Sequence, residues 1–181
     1  MFFLYNCNKE QYLKLLDYLF PKCDILVFAL PNYECNSNDI SNRNNMKFLE
    51  YKKTVSHFIE KVSSKIIYSY HSTNYFDQHY NYEREIFVLK FDEELFKILK
   101  RSKEFKKWRY PNRPEDLCFF SNNKLLFSSI SHEDEYRYFD NSDEASEFIE
   151  QLDIVYRYYD EEEIYYLNNQ TVSVKTLSEE M

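Results

Sequence analysis

The sequence predicts a single α+β domain in which a mixed or antiparallel β-sheet packs with about four helices. Three observations lead there. Apolar residues recur every three to four positions in some segments and run unbroken over strand length in others. The segments open in the order αβαββα, so strands follow one another directly as well as through helices. And 181 residues that are 44% hydrophobic and 19% aromatic amount to one ordinary domain with the means to bury its own core.

Taken in order, Asn8 with Gln11 three residues later forms a capping pattern. It opens a helix from about Lys9 to Phe20 that carries Tyr12, Leu15, Leu16 and Leu19 on one face. Pro21 ends it. Asp24 to Leu30 is a nearly continuous apolar run, the pattern of a central strand covered on both faces. A polar Asn-rich loop from Pro31 to Asn45 follows, and then a helix from about Met46 to Ser63 with Phe48, Lys52, Val55, Ile59 and Val62 at helical spacing.

Lys65 to Ser72 and Glu85 to Phe91 read as strands joined by a polar segment bearing Tyr and His, and Asp92 caps a short helix with Leu95, Phe96 and Leu99. Pro111 and Pro114 enforce extended or turn geometry before a hairpin in which Leu117–Phe120 and Leu125–Ile130 flank Asn122-Asn123. Tyr136 to Phe139 adds a strand. Asn141 with Glu144 opens a further helix, Ile154 to Tyr159 reads as a last core strand, Tyr165–Leu167 and Thr171–Val174 read as an edge strand or tail, and from about residue 168 the chain reads as a frayed tail, within a domain of 1–181.

The chain has no glycine and only two alanines, Ala29 and Ala145. Glycine is the default wherever the backbone takes positive φ or approaches a phosphate closely. Its absence removes the P-loop, the G-x-G-x-x-G dinucleotide fingerprint and the G-x-S-x-G nucleophile elbow. Turns must then rely on Asn and Asp, which tolerate the left-handed region best among the other residues, and Asn-rich joints stand at Asn36–Asp39, Asn42–Asn45, Asn122-Asn123 and Asn168-Asn169.

Cys7, Cys23, Cys35 and Cys118 are far apart, with no C-x-x-C and no clustered histidines, so neither a metal nor a cofactor is expected. Met1–Tyr5 lacks a basic start and a long apolar run, and no stretch of 18 apolar residues occurs, which predicts a cytoplasmic protein with reduced, buried thiols and no membrane partner.

Chemistry has few places to reside. His132, after an apolar strand, could act as a general base with Asp116 or Glu133, which would make a small hydrolase-like enzyme. Adjacent strand residues point to opposite faces, so Glu133 is badly placed to orient His132. Cys118 with His132 reads as a buried thiol beside a polar turn, and His71 and His79 with Asp77 or Glu83 fit no standard ligand spacing.

Charge is more informative. From Lys97 to Arg113 eight basic residues face one acid, and from Glu133 to Glu163 thirteen acids face Arg137 and Arg157, in a chain of net charge −8. Phe105, Trp108 and Tyr110 interleave with the cations. Lys103, Lys106, Lys107, Trp108 and Arg109 are therefore the candidates for stacking on and neutralising single-stranded nucleic acid, a reading opposed by the low pI of about 5.1. The basic segment reads equally as a partner for the chain's own acids or as a solvated helix face.

The acidic segment and its continuation carry seven tyrosines, among them Tyr156, Tyr158 and Tyr159, which lead directly into Asp160, Glu161, Glu162 and Glu163. Tyr is enriched at interfaces because it buries a large ring at low entropic cost and keeps a polar tip. Acids along the same surface steer association with a basic partner.

The stretch Tyr110 to Phe120, continuing through Asn122-Asn123-Lys124 to Ser131-His132-Glu133, resembles a segment in small uncharacterised proteins of low-GC Gram-positive bacteria or their mobile elements. The resemblance covers about a quarter of the chain. It implies provenance and a shared hairpin, and it carries over no catalytic residue.

The leading expectation is a non-enzymatic interaction or inhibitor protein, of immunity or phage anti-defence type. It would mask a basic protein surface through its acidic, Tyr-rich C-terminal third.

Overall fold

The computed structural model describes residues 1–31, 42–75, 78–109, 113–131, 133–159, 163–168 and 171–176. Those residues form an α+β fold in which helices α1 (Lys9–Leu19), α2 (Asn42–Val62), α3 (Glu93–Lys100) and α4 (Asp143–Gln151) accompany a wholly antiparallel sheet. The strands are β1 (Phe2–Tyr5), β2 (Ile25–Pro31), β3 (Ile66–Tyr75), β4 (Gln78–Lys90), β5 (Glu115–Ser121), β6 (Lys124–Ile130), β7 (Glu135–Tyr138), β8 (Val155–Tyr158), β9 (Glu163–Asn168) and β10 (Thr171–Thr176). Their spatial order is β3-β4-β2-β5-β6-β7-β1-β8. The β9–β10 hairpin joins at β6, where Lys124 pairs with Tyr166.

The local reasons are legible residue by residue. Asn8 caps α1 through a complete capping box: its side chain accepts from Glu10 N and Gln11 N, and Gln11 Oε1 accepts from Asn8 N. The continuous apolar run of β2 occupies the middle of the sheet, between β4 and β5, as its composition requires. Asp92 caps α3 by accepting from Leu95 N.

Among the described residues seven adopt positive φ. Six are Asn or Asp (Asn6, Asp116, Asn122, Asn123, Asp134 and Asp153), and Lys103 is the other. This is how a chain without glycine turns. The β5–β6 hairpin closes on Asn122 (φ 50) and Asn123 (φ 65), the backbone that a two-residue primed turn demands. Replacing Asn123 by Gly removes the Cβ penalty of that conformation, and an equilibrium urea titration is expected to show a gain of about 0.5–1 kcal/mol.

Several elements differ from the sequence expectation. Phe2–Tyr5 is a strand wedged between β7 and β8, although four residues give too short a pattern to read. The polar Tyr/His segment between the third and fourth strands is itself mostly strand, because aromatic and hydroxyl side chains suit a pleated, half-covered surface. Helix α2 begins at Asn42, inside the expected loop. The cap of α4 is Ser142 and not Asn141: Ser142 Oγ accepts from Ala145 N, while the Asn141 carboxamide oxygen is taken by the Met1 nitrogen. Thr171–Val174, read as edge strand or tail, lies in a strand, Thr171–Thr176, that pairs with β9.

All four helices are drawn to one face of the sheet. Tyr12, Leu15, Leu16 and Leu19 from α1, Leu95 and Leu99 from α3, Ala145 and Ile149 from α4 and Val62 from α2 join Leu26, Phe28, Phe119 and Phe127 in one core. On the opposite face Val27, Ala29, Ile86, Val88, Cys118, Phe120 and Leu125 form a second buried cluster.

Burial pushes the Cys7 and Cys23 thiols up to about 12 from 9.0, and the Tyr12 phenol up to about 12 from 10.0. Each group keeps its proton in the folded chain to a higher pH than in the unfolded one. Their contribution is therefore fully present below about pH 9 and is lost as pH rises toward 12. Each adds a slope of up to about 1.4 kcal/mol per pH unit in that window. The urea midpoint is expected to fall markedly between pH 8 and pH 11, and a flat profile would contradict this burial.

Candidate functional site

Strand β8 lies at one end of the sheet path, with β1 as its inner neighbour: Phe2 faces Tyr158, Phe3 faces Arg157, Leu4 faces Tyr156 and Tyr5 faces Val155. All four of its side chains are exposed, including Val155 at 66% and Tyr158 at 49%. The expected core strand is thus an edge. Its four residues contain one aliphatic and two aromatic side chains, which on sequence alone read as core, and the alternation was too short to separate a covered strand from an open one.

Two anchors fix this edge. At its start, Gln11 Nε2 donates to Leu152 O (3.3 Å) and Asp153 O (2.7 Å), which binds the turn between α4 and β8 to the first turn of α1. At its end, Tyr159 N donates to Met1 O (2.9 Å). The rings of Tyr156 and Tyr158 lean on Phe2, with centroids 5.8 and 5.1 Å away, and Tyr159 leans on Phe3 at 4.7 Å. Each tyrosine thus contacts a phenylalanine of β1 while staying exposed. Asp160, Glu161 and Glu162 lie outside the described residues, and Glu163 opens β9.

The residues proposed for catalysis do not assemble into a described dyad. His132 lies outside the described residues, and Glu133 is exposed. Asp116 is buried and committed on both oxygens: Oδ1 accepts from Ser131 N (3.0 Å), and Oδ2 pairs with Arg84 Nη1 (3.1 Å). Cys118 is buried, and its Sγ contacts the Asp116 carbonyl oxygen at 3.5 Å.

That environment contains what sequence reasoning missed, a buried charge cluster of Arg84, Glu115 and Asp116. Arg84 is 2% exposed, and its Nη2 also approaches Glu115 Oε2 at 3.6 Å. A β-bulge creates it. Two steps along β2, from Val27 to Ala29, match three along β5, from Cys118 back to Glu115, and the extra residue is accommodated by Asp116 at φ 55. The bulge sets Glu115 opposite Ala29, on the face that Ile86 and Arg84 share, and turns Asp116 toward the same guanidinium. The sequence signal was an Arg and a Glu-Asp pair at the ends of apolar strands. Nothing in their spacing linked residue 84 to 115.

Four of the eight basic residues from Lys97 to Arg113 pair with nearby acids. Lys97 pairs with Glu93 (2.7 Å), Lys100 with Asp17 (2.7 Å), and Lys106 and Lys107 with Glu104 (3.6 and 3.2 Å). Lys103 and Arg109 are exposed. Trp108 is fully buried, edge-on to Phe58 with centroids 5.6 Å apart, and its Nε1 donates to Tyr12 Oη (3.3 Å), so it offers no ring face for a base to stack on. Phe105 is buried likewise, and Tyr110 lies outside the described residues.

Among the described residues no group of three or more His, Cys, Asp and Glu could hold a metal ion, and no helix is long and apolar enough to cross a membrane. Comparison with known protein families, with curated proteins and with solved structures finds no match.

Proposed function

We propose that this chain is a non-enzymatic interaction protein that masks a basic surface of a protein partner through its acidic, Tyr-rich C-terminal third. The observation that carries the reading is the β8 edge, an exposed strand of one Val, two Tyr and one Arg that is followed directly by Tyr159 and the run Asp160–Glu163. Half-covered aromatics give contact area at low entropic cost, and adjoining acids select a cationic partner and speed its encounter. The mechanism is steric and electrostatic blocking, which suits an immunity or anti-defence protein acting on a nucleic-acid enzyme with a cationic groove.

The test is titration calorimetry against a panel of purified basic nucleic-acid enzymes. Saturable one-to-one binding to a member, with loss of that enzyme's activity, is expected. Reversing Glu161, Glu162 and Glu163 to Lys should weaken the complex by tenfold or more, and so should raising the salt. A panel without saturable binding, or a complex indifferent to the charge reversal, would sink the reading.

A further inference from the structure

The way β8 is hydrogen-bonded to β1 decides what its outer side offers. Met1 and Tyr159 exchange two backbone bonds, Tyr159 N to Met1 O and Met1 N to Tyr159 O, each 2.9 Å. In an antiparallel ladder hydrogen-bonded and non-hydrogen-bonded pairs alternate. From this pair and the register, Phe3 with Arg157 and Tyr5 with Val155 are also hydrogen-bonded pairs, while Tyr156 and Tyr158 direct their N–H and C=O groups away from β1. The other side of β1 agrees with this phase: Asn6, an even-numbered residue, donates its N–H to Asp134 O.

Two consecutive outward pairs of backbone donor and acceptor therefore stand on the same two residues whose rings are half exposed. Acids bracket them. Glu150 and Asp153 are exposed just before the strand, and Asp160 to Glu163 follow Tyr159 directly in the sequence.

We infer that β8 accepts an extended segment of a basic partner protein as an additional antiparallel strand, bonded to the backbone of Tyr156 and Tyr158, with Lys or Arg residues at both ends of that segment. This rests on the proposed reading of a basic partner and specifies how that partner is held. Charge complementarity selects the occupant. The sequence is acidic on both sides of β8, with Glu150 and Asp153 before it and Asp160 to Glu163 after it, so a second copy paired antiparallel would bring acidic sequence against acidic sequence. A neutral strand flanked by cations meets opposite charge at both ends. Cations beside Tyr156 and Tyr158 also gain the faces of those rings. Arg157 disfavours a cation at the facing position on the other side of the strand.

The test uses the peptide Lys-Lys-Val-Thr-Val-Thr-Lys-Lys, the same peptide N-methylated at alternate central residues, and a helical Lys-Ala peptide of equal charge. Fluorescence anisotropy reads binding to the parent protein and to Tyr156→Pro. Proline at position 156 removes an outward N–H and leaves the β1 ladder intact, as an edge strand permits. Circular dichroism and urea unfolding check its fold, and the N-methylated peptide asks the same question of the unaltered protein.

The strand peptide is expected to bind, and both the N-methylated peptide and Tyr156→Pro are expected to lose affinity by tenfold or more. Equal affinity of the methylated and unmethylated peptides would overturn strand addition. If the helical peptide then binds just as well, the basic-partner reading stands without it. If neither basic peptide binds at low salt, both fall. Self-association in sedimentation that Tyr156→Pro abolishes would replace the partner by a second copy and overturn the proposal.

Discussion

Arg84→Ala is expected to lower unfolding free energy by about 3–5 kcal/mol, because it leaves Glu115 and Asp116 buried without the guanidinium that faces them. Chemical denaturation followed by circular dichroism reads this directly. The companion variant separates the pair's worth from the cost of orphaning charge. With Arg84→Met, Glu115→Gln and Asp116→Asn together, no buried charge remains, and Asn still tolerates the positive φ at position 116 and accepts from Ser131 N. That triple variant is expected to recover most of the loss. Arg84→Lys should fall between, since an ammonium cannot reach two carboxylates with one planar fork. If Arg84→Ala costs less than about 1 kcal/mol, water must reach the site, and the cluster is not the closed element described.

Trp108→Ala should cost about 3–5 kcal/mol, the range for emptying a large aromatic site in a core. The loss includes the edge contact with Phe58 and the donor to Tyr12 Oη, whose own hydrogen goes to Leu99 O at 2.7 Å. Trp108→Phe keeps most of the volume, drops the N–H, and is expected to cost about 1–2 kcal/mol. Because the chain has one tryptophan, its fluorescence reports on this site alone. Emission should be blue-shifted, shielded from a soluble quencher, and unchanged by a single-stranded oligonucleotide. Quenching by the oligonucleotide would restore the stacking role that the sequence suggested for Trp108.

Both predictions concern residues whose setting was hidden in the sequence, and for a shared reason. Caps, turns and helical stripes are local: Asn8 and Gln11, Asp92, and Asn122-Asn123 state their roles within four residues, and the structure has them as read. The Arg84 cluster depends on a bulge in β5 that only the β2–β5 register reveals. Trp108 reads as a surface aromatic among lysines because its neighbours in sequence are charged, whereas its neighbours in space are Phe58 and Tyr12. Strand β8 erred in the other direction, since an apolar-looking run shows its composition but not whether another strand stands beside it. The tyrosines proposed as a partner surface lie on that open edge, and the acids that follow them were legible from charge alone.

The position of β1 has a consequence for how the chain acquires its structure. Phe2–Tyr5 is inserted between β7 and β8, more than 120 residues away along the chain, so both of its neighbours are made long after it. On the ribosome β1 is made well before either of its partners, and its pairing on both sides must wait until about residue 158 is clear. The sheet is then closed by contacts of very long sequence separation, which places this protein among slow folders. The apolar Phe2 and Leu4 are the groups that a holding chaperone would meet in the interval. The strand that bears the exposed Tyr156 and Tyr158 is also the one whose arrival completes the pairing of the first.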